Sequence, residues 1–197
     1  MLIDDIKKYN IILASQSPRR VELLHGLGLD FTHVKLPEID ESYPDDLHKN
    51  KIPVYIAKKK SASYAQTLAN NDILITVDTI VWCHGEVFGK PKDRNAAVRM
   101  LKSISDNVHE VLTGVCLRSA SKQYDFVVSS MVYFKVLTDA EIDFYIDNYR
   151  PYDKAGAYGI QEWIGFIGLE RIDGSYFNVM GLPVQSLYIE LEKFILP

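Results

Sequence analysis

The sequence predicts an α/β protein, and three observations carry that reading. Short β-prone apolar runs such as Ile11-Ile12-Leu13 and Ile73-Leu74-Ile75 alternate with segments of helical spacing along the whole chain. Helix-start chemistry recurs between them, with Ser17 before Pro18, Asp93 before Ala96-Ala97-Val98, and a capping box at Thr138-Asp139-Ala140-Glu141. No internal repeat, low-complexity linker or compositional break divides the 197 residues. That length suits one sizeable domain or two small lobes sharing a core, and residues 1–197 read as a single domain without a clean boundary.

Ile11 to Leu13 form a buried strand that runs straight into a helix. Ser17 is its N-cap, Pro18 its first residue, and Val21, Leu24 and Leu27 its apolar face, with Leu23 alongside, until Gly28 stops it. A helix N-terminus bearing Ser15, Ser17, Arg19 and Arg20 has the N–H groups, partial positive charge and guanidinium groups that suit a phosphate. The alternative is a capped helix with two solvated arginines. Phe31 to Leu36 reads as a second strand. Pro37 to Asn50 is a long acidic loop carrying Glu38, Asp40, Glu41, Asp45 and Asp46, most of them expected in solvent. Pro53 opens a helix through Leu68 that contains Lys58-Lys59-Lys60, of which at least one must point away from the others.

Asp72 to Val77 is the clearest strand. It is expected to stop at Asp78-Thr79, leaving a carboxylate at a strand's C-terminal end, where open α/β sheets bind ligands. A hairpin follows, from Ile80 through His84-Gly85 to Phe88, bringing Lys90 back toward Asp78. A helix capped at Asp93 runs to Ser105. Strands cover Val108 to Leu117 and Tyr124 to Val136. The capping box starts a helix through Tyr149, which Arg150-Pro151 breaks. The glycines of Tyr152 to Gln161 suggest close backbone approach, Ile164 to Ile172 reads as strand, and a last helix begins at Pro183.

Composition removes several function classes. Hydrophobic residues make up 47% and charged residues 24%, ordinary values for a soluble globular protein. A formal charge of −4 argues against holding nucleic acid through its phosphates, though not against a small anion in a local basic pocket. Cys83 and Cys116 sit in apolar runs and read as inert core thiols in a reducing cytosol. Met1 to Lys8 lack the long apolar stretch of a signal peptide, and no stretch reaches membrane-spanning length, so a cytoplasmic protein is expected. There is no GxxxxGK(S/T) loop, GxGxxG fingerprint, metal-finger spacing or GxSxG elbow. What remains is a dispersed set of cationic and hydroxyl groups, Ser15, Ser17, Arg19, Arg20, Lys60 and Lys90, facing the carboxylates Glu41 and Asp78. Cations around a polyphosphate, with acids to hold a hard metal and activate water, make a phosphoanhydride hydrolase.

The ordered segments together resemble the Maf family of nucleoside triphosphate pyrophosphatases. The resemblance runs through Ala14-Ser15-Gln16-Ser17-Pro18-Arg19-Arg20, Ile39-Asp40-Glu41, Ala57 with Lys60, Val77-Asp78-Thr79 and Gly89-Lys90-Pro91. It continues through His109 to Val115, Lys154-Ala155-Gly156-Ala157-Tyr158-Gly159-Ile160-Gln161 and Met180-Gly181-Leu182-Pro183, nearly the whole chain. It implies an elongated mixed sheet flanked by helices, with two lobes and a central cleft, the architecture shared with ITP pyrophosphatases. It implies cleavage of a nucleoside triphosphate between its α- and β-phosphates, a divalent metal (Mg²⁺, with Mn²⁺ or Co²⁺ as alternatives) and a cytoplasmic homodimer, while charge and the lack of a membrane-length stretch predict neither a nucleic-acid nor a membrane partner.

Asp78 matches the family's proton acceptor, and Arg19, Thr79 and Gln161 match positions associated with substrate choice. Asp78-Thr79 with Ala157-Tyr158-Gly159-Ile160-Gln161 looks like the branch acting on dTTP and UTP. Glu162-Trp163 departs from the glycine that many members carry after the glutamine. Asp78 would take a proton from water directly, or share Mg²⁺ with Glu41. Lys60, Lys90 and Arg19 would offset phosphate charge, and Ser15, Ser17 and Arg20 would help to seat it. The rival readings are a pyrophosphatase for ITP or XTP and a non-catalytic nucleotide-binding regulator of cell division.

Overall fold

The computed structural model describes residues 2–196. In chain order these form α1 (Leu2–Asp5), β1 (Asn10–Ala14), α2 (Pro18–His25), β2 (Thr32–Val34), α3 (Ile52–Ala62), β3 (Asp72–Cys83), β4 (Glu86–Phe88) and α4 (Arg94–Ile104). They continue as β5 (Asn107–Arg118), β6 (Gln123–Phe134), α5 (Asp139–Tyr149), α6 (Trp163–Gly168), β7 (Leu169–Asp173), α7 (Tyr176–Met180) and α8 (Val184–Ile195). The strands make one mixed sheet in the order β2-β1-β3-β5-β6-β7, with β4 added to β3. β2, β1 and β3 run parallel, whereas β4 pairs antiparallel with β3 and β7 with β6. The expected α/β class with a mixed sheet flanked by helices is what the chain adopts.

The chain divides into two compact units. One comprises Thr79–Leu112 and Ser129–Met180, and the rest of the described residues form the other. In the unit holding the chain's beginning, Ile12 pairs with Leu74 and Ala14 with Thr76 across the parallel β1–β3 ladder. Alternation splits the side chains between two faces. Ile11, Leu13, Ile73 and Ile75 pack with Leu24, Leu187 and Leu191 of α2 and α8, while Ile12, Ala14 and Leu74 pack with Leu36 and Tyr64. Burial on both faces explains why these strands read as unbroken apolar runs.

Thr76 lies on the same face as Leu74, and its hydroxyl donates to the Ala57 carbonyl of α3 at 2.8 Å. The N-terminal turn of α3 meets Gly114 of β5, where an added Cβ would lie 2.3 Å from the Val54 nitrogen. Only glycine allows that approach.

The second unit has its own core. Leu101 and Ile104 of α4, Ile142 and Tyr145 of α5, and Ile164 of α6 pack with Val81, Val132 and Phe134 of the sheet. His109 is buried there, with Nε2 2.7 Å from the Tyr158 hydroxyl, and burial pushes its pKa down to about 4, so it is neutral. Both cysteines are free and buried, as expected, and burial pushes both thiols up.

Several boundaries differ from the sequence reading. β3 does not stop at Asp78; it continues to Cys83 because Ile80 and Val81 keep the apolar pattern and β4 pairs with its far end. Asp78 is therefore in the middle of a long strand rather than at a strand tip. α3 ends at Ala62 instead of reaching Leu68, the chain turning so that Tyr64 enters the core. Ile164 to Ile172 is half helix: α6 precedes β7. An apolar run without clear period does not distinguish a buried helix from a strand. Gly165 lies in that helix against the Ile160 carbonyl, 1.8 Å from where a Cβ would stand, so a larger residue would not fit there.

Candidate active site

Four elements of the first unit deliver charged groups to one place. β3 carries Asp78 on the face of Thr76, and α3 carries Lys60 one turn beyond the Ala57 carbonyl that Thr76 holds. That register brings the Lys60 ammonium to 2.6 Å from Asp78 Oδ1. The same ammonium stands 2.9 Å from Glu41 Oε1, in the acidic loop. The Asp78 side chain is 10% exposed and that of Glu41 53%. Asp78 is thus the fixed acid and Glu41 the one with room to move.

Arg20 of α2 completes the cluster in a way the sequence did not indicate. Its Nε donates to the Gly181 carbonyl and its Nη1 to the Val77 carbonyl, each at 2.9 Å. It therefore grips the backbone immediately before Asp78. Burial lowers its pKa to about 10, with Asp78 pulling the other way, so the guanidinium stays charged at neutral pH. Asp78 feels opposed effects as well. Burial pushes its carboxyl up and is the largest influence, while Lys60 and Arg20 pull it down; the net direction is upward.

The three consecutive lysines diverge, as helical geometry requires. Lys58 reaches Asp125 at 3.6 Å, Lys59 donates to the Ser42 carbonyl at 3.0 Å and to Asp40 at 3.4 Å, and Lys60 takes the two acids. Asp40 in turn accepts from the Ser42 N–H at 2.9 Å and from its hydroxyl, which hold the Asp40 carboxyl below its usual range. This strap on both sides of Glu41 was not foreseen. The one signal for it was Asp40 two residues before a serine, opposite a lysine run.

At the start of α2, Ser17 occupies the N-cap position, yet its side chain makes no cap bond. Ser15 is buried, and its hydroxyl accepts the Ser17 N–H at 3.1 Å. The Ser15 carbonyl receives His33 Nε2 at 2.7 Å. Ser17 and Arg19 are half-buried. Ser15, Arg20, Glu41, Lys60 and Asp78 thus belong to one unit. Thr79, Lys90 and Gln161 belong to the other. The expected hairpin forms, pairing Val81 with Phe88 and Cys83 with Glu86, and Lys90 follows it as an exposed residue.

Glu41 and Asp78 converge on a single ammonium, so two hard oxygen donors already face one cationic position. Among the described residues no group of three or more His, Cys, Asp or Glu is arranged to hold a metal. A carboxylate pair without further protein ligands fits a cation such as Mg²⁺, which keeps several waters and uses substrate phosphates as ligands. No described helix is long and apolar enough to cross a membrane.

Comparison with known proteins follows the same line. Residues 10–194 match the family model described as Maf-like protein. A Parabacteroides distasonis protein named dTTP/UTP pyrophosphatase is 54% identical over 98% of this chain and all of its own length. Proteins of the same name from Bacteroides thetaiotaomicron and Flavobacterium johnsoniae are 52% and 46% identical, again over their full lengths and over 98% and 99% of this chain. Among solved structures, a HAM1 protein from Coxiella burnetii shares the fold at a TM-score of 0.52 and 14% identity, covering 94% of this chain and 99% of its own.

Proposed function

This chain belongs to the Maf family, and from that premise we propose that it hydrolyses the α–β phosphoanhydride of dTTP and UTP, releasing the nucleoside monophosphate and pyrophosphate. The observation that carries the reading is the buried Asp78 carboxylate held by Lys60, with Glu41 on the same ammonium. The full-length relatives named dTTP/UTP pyrophosphatase supply the substrate class.

In this reading Asp78 is the general base. It accepts a proton from the water whose oxygen bonds to the α-phosphorus, while the bond from that phosphorus to the bridging oxygen breaks and pyrophosphate leaves with the oxygen and the bond's electron pair. Lys60 opposes the effect of burial on the Asp78 carboxyl, and its positive charge faces a site that gains negative charge as the water loses its proton. Arg20 fixes the strand backbone before Asp78, so the carboxylate does not drift. The N–H groups at the start of α2, with Ser15, Ser17 and Arg19, suit phosphate oxygens. Glu41 and Asp78 would hold a Mg²⁺, Mn²⁺ or Co²⁺ ion, which when bound shields phosphate charge and lowers the pKa of water. By resemblance, Lys90 adds a further cation, and Thr79 and Gln161 hydrogen-bond the pyrimidine. A nucleoside triphosphate substrate fits a cytoplasmic location, and the resemblance adds a homodimer, which sedimentation analysis tests.

The deciding experiment is a screen of pyrophosphate release from dTTP, UTP, CTP, 7-methyl-GTP and ITP with added Mg²⁺. Preference for dTTP and UTP is expected. Preference for ITP, or no release from any nucleotide, overturns the reading.

A further inference from the structure

The turn that carries Gln161 is held from beneath by a buried charged network. The Glu162 N–H donates to the Gly159 carbonyl at 2.9 Å, which places Ile160 and Gln161 at the centre of a tight turn. Ile160 is buried in the core of the second unit, and its carbonyl lies against Gly165. The Glu162 side chain folds back under this turn: an added Cβ at Gly159 would lie 2.9 Å from the Glu162 carboxyl carbon and 3.0 Å from Lys154 Cε.

Each oxygen of that carboxylate has a partner. Lys154, with a side chain only 9% exposed, reaches Glu162 Oε1 at 3.0 Å and also donates to Asp153 at 2.7 Å. The Tyr145 hydroxyl donates to Glu162 Oε2 and accepts the Gly159 N–H at 2.9 Å. Backbone, aromatic hydroxyl, carboxylate and ammonium therefore form one continuous chain around the turn.

No hydrogen bond to the Gln161 side chain is seen among the described residues, although its backbone is fixed on both sides. A half-buried amide on an immobilised turn is suited to reading a ligand edge, because its ordering cost is met before the ligand arrives. We infer that Glu162, through Lys154 and Tyr145, is the positioning residue that aims Gln161 at the pyrimidine and so sets nucleotide selectivity. This rests on the proposed reading of Gln161 as a base-recognising residue.

The experiment is a double-mutant cycle on dTTP hydrolysis with Gln161→Ala, Glu162→Gln and the pair, circular dichroism confirming the fold of each. Gln161→Ala is expected to raise KM about tenfold with kcat within about twofold. Glu162→Gln should do much the same, and the pair should be scarcely worse than Gln161→Ala alone. A purely structural Glu162 would give effects that multiply, which overturns the inference, as does an unchanged KM in the folded Glu162→Gln protein. Tyr145→Phe keeps the Lys154 ion pair and removes the link to Gly159, so it should give a weaker version of the same KM rise. If neither Glu162→Gln nor Tyr145→Phe folds, the network serves stability and the inference falls. A Gln161→Ala protein with normal KM overturns the inference while leaving pyrophosphate chemistry standing. A wild-type protein inactive on dTTP and UTP removes the functional reading itself.

Discussion

Lys60 Nζ and Asp78 Oδ1 are 2.6 Å apart, a charge-assisted contact in which a helix ammonium is the largest counterweight to the burial of a strand carboxylate. Burial pushes the Asp78 carboxyl up and outweighs the pull of Lys60 and Arg20. A base must be unprotonated to act, so the rate should fall as pH drops through that raised pKa. The acid limb of kcat/KM should accordingly lie above the carboxylate reference of about 3.9. Removing the ammonium with Lys60→Met takes away the main counterweight, and the limb should move further toward alkaline pH. A pH–rate profile of both proteins checks this; an unmoved limb would separate Lys60 from the base.

Asp78→Asn tests the same residue through rate and stability together. Turnover should fall by about 10²–10⁴, the usual contribution of a general base. Stability should not fall. A carboxyl whose folded pKa is raised loses stability as pH climbs from its unfolded pKa through the folded one, and the penalty persists above that. Asparagine escapes the penalty and still accepts from Lys60. The mutant should therefore melt at or above the wild-type temperature at pH 7–8, with the difference vanishing near pH 4, in thermal scans at several pH values.

How much of this was legible in the sequence depends on where the information resides. The helix start at Ser17-Pro18, the Asp93 cap and the Thr138–Glu141 capping box are local chemistry, and all three helices begin where those residues put them. The Asp93 side chain does accept the Ala96 N–H, and both halves of the capping box form. What was misread needed partners distant in sequence. Asp78 looks like a strand end, because a charge usually interrupts an apolar run, but Lys60 from another element makes the charge tolerable inside the strand. The grip of Arg20 on the carbonyls of Val77 and Gly181 was likewise illegible, because nothing local marks those acceptors. Ile164 to Ile172 has no period to read, and the close approach of Gly165 to the Ile160 carbonyl in the helix there is a contact no local signal marks.

The Lys59 strap gives a prediction distinct from those on Asp78. Lys59 holds the Ser42 carbonyl at 3.0 Å, one residue after Glu41, but the contact is exposed. Exposed pairs contribute under about 1 kcal/mol, so the effect should be modest. Lys59→Met should raise the Mg²⁺ concentration for half-maximal activity by about threefold, because Glu41 becomes less ordered, with kcat at saturating metal near normal. Lys58→Met, which releases only the Asp125 contact, should leave the metal dependence unchanged. Metal titrations of the three proteins decide between a positioning strap and two interchangeable surface lysines.

Gly114 links the fold to the chemistry most directly. A methyl group there would stand 2.3 Å from the Val54 nitrogen and 2.4 Å from the Pro53 carbonyl carbon, both backbone atoms with no rotamer to yield. Gly114→Ala must push the N-terminal turn of α3 away from β5, a form of overpacking that typically costs about 1–3 kcal/mol. The displaced helix is the one that carries Lys60 and whose Ala57 carbonyl is held by Thr76. Even a small shift would therefore be transmitted to the Lys60–Asp78 contact. The mutant should show a lower denaturant midpoint with an unchanged m-value, and at temperatures where it remains folded a reduced kcat. A destabilised protein with normal kcat would mean that α3 can move without disturbing Asp78.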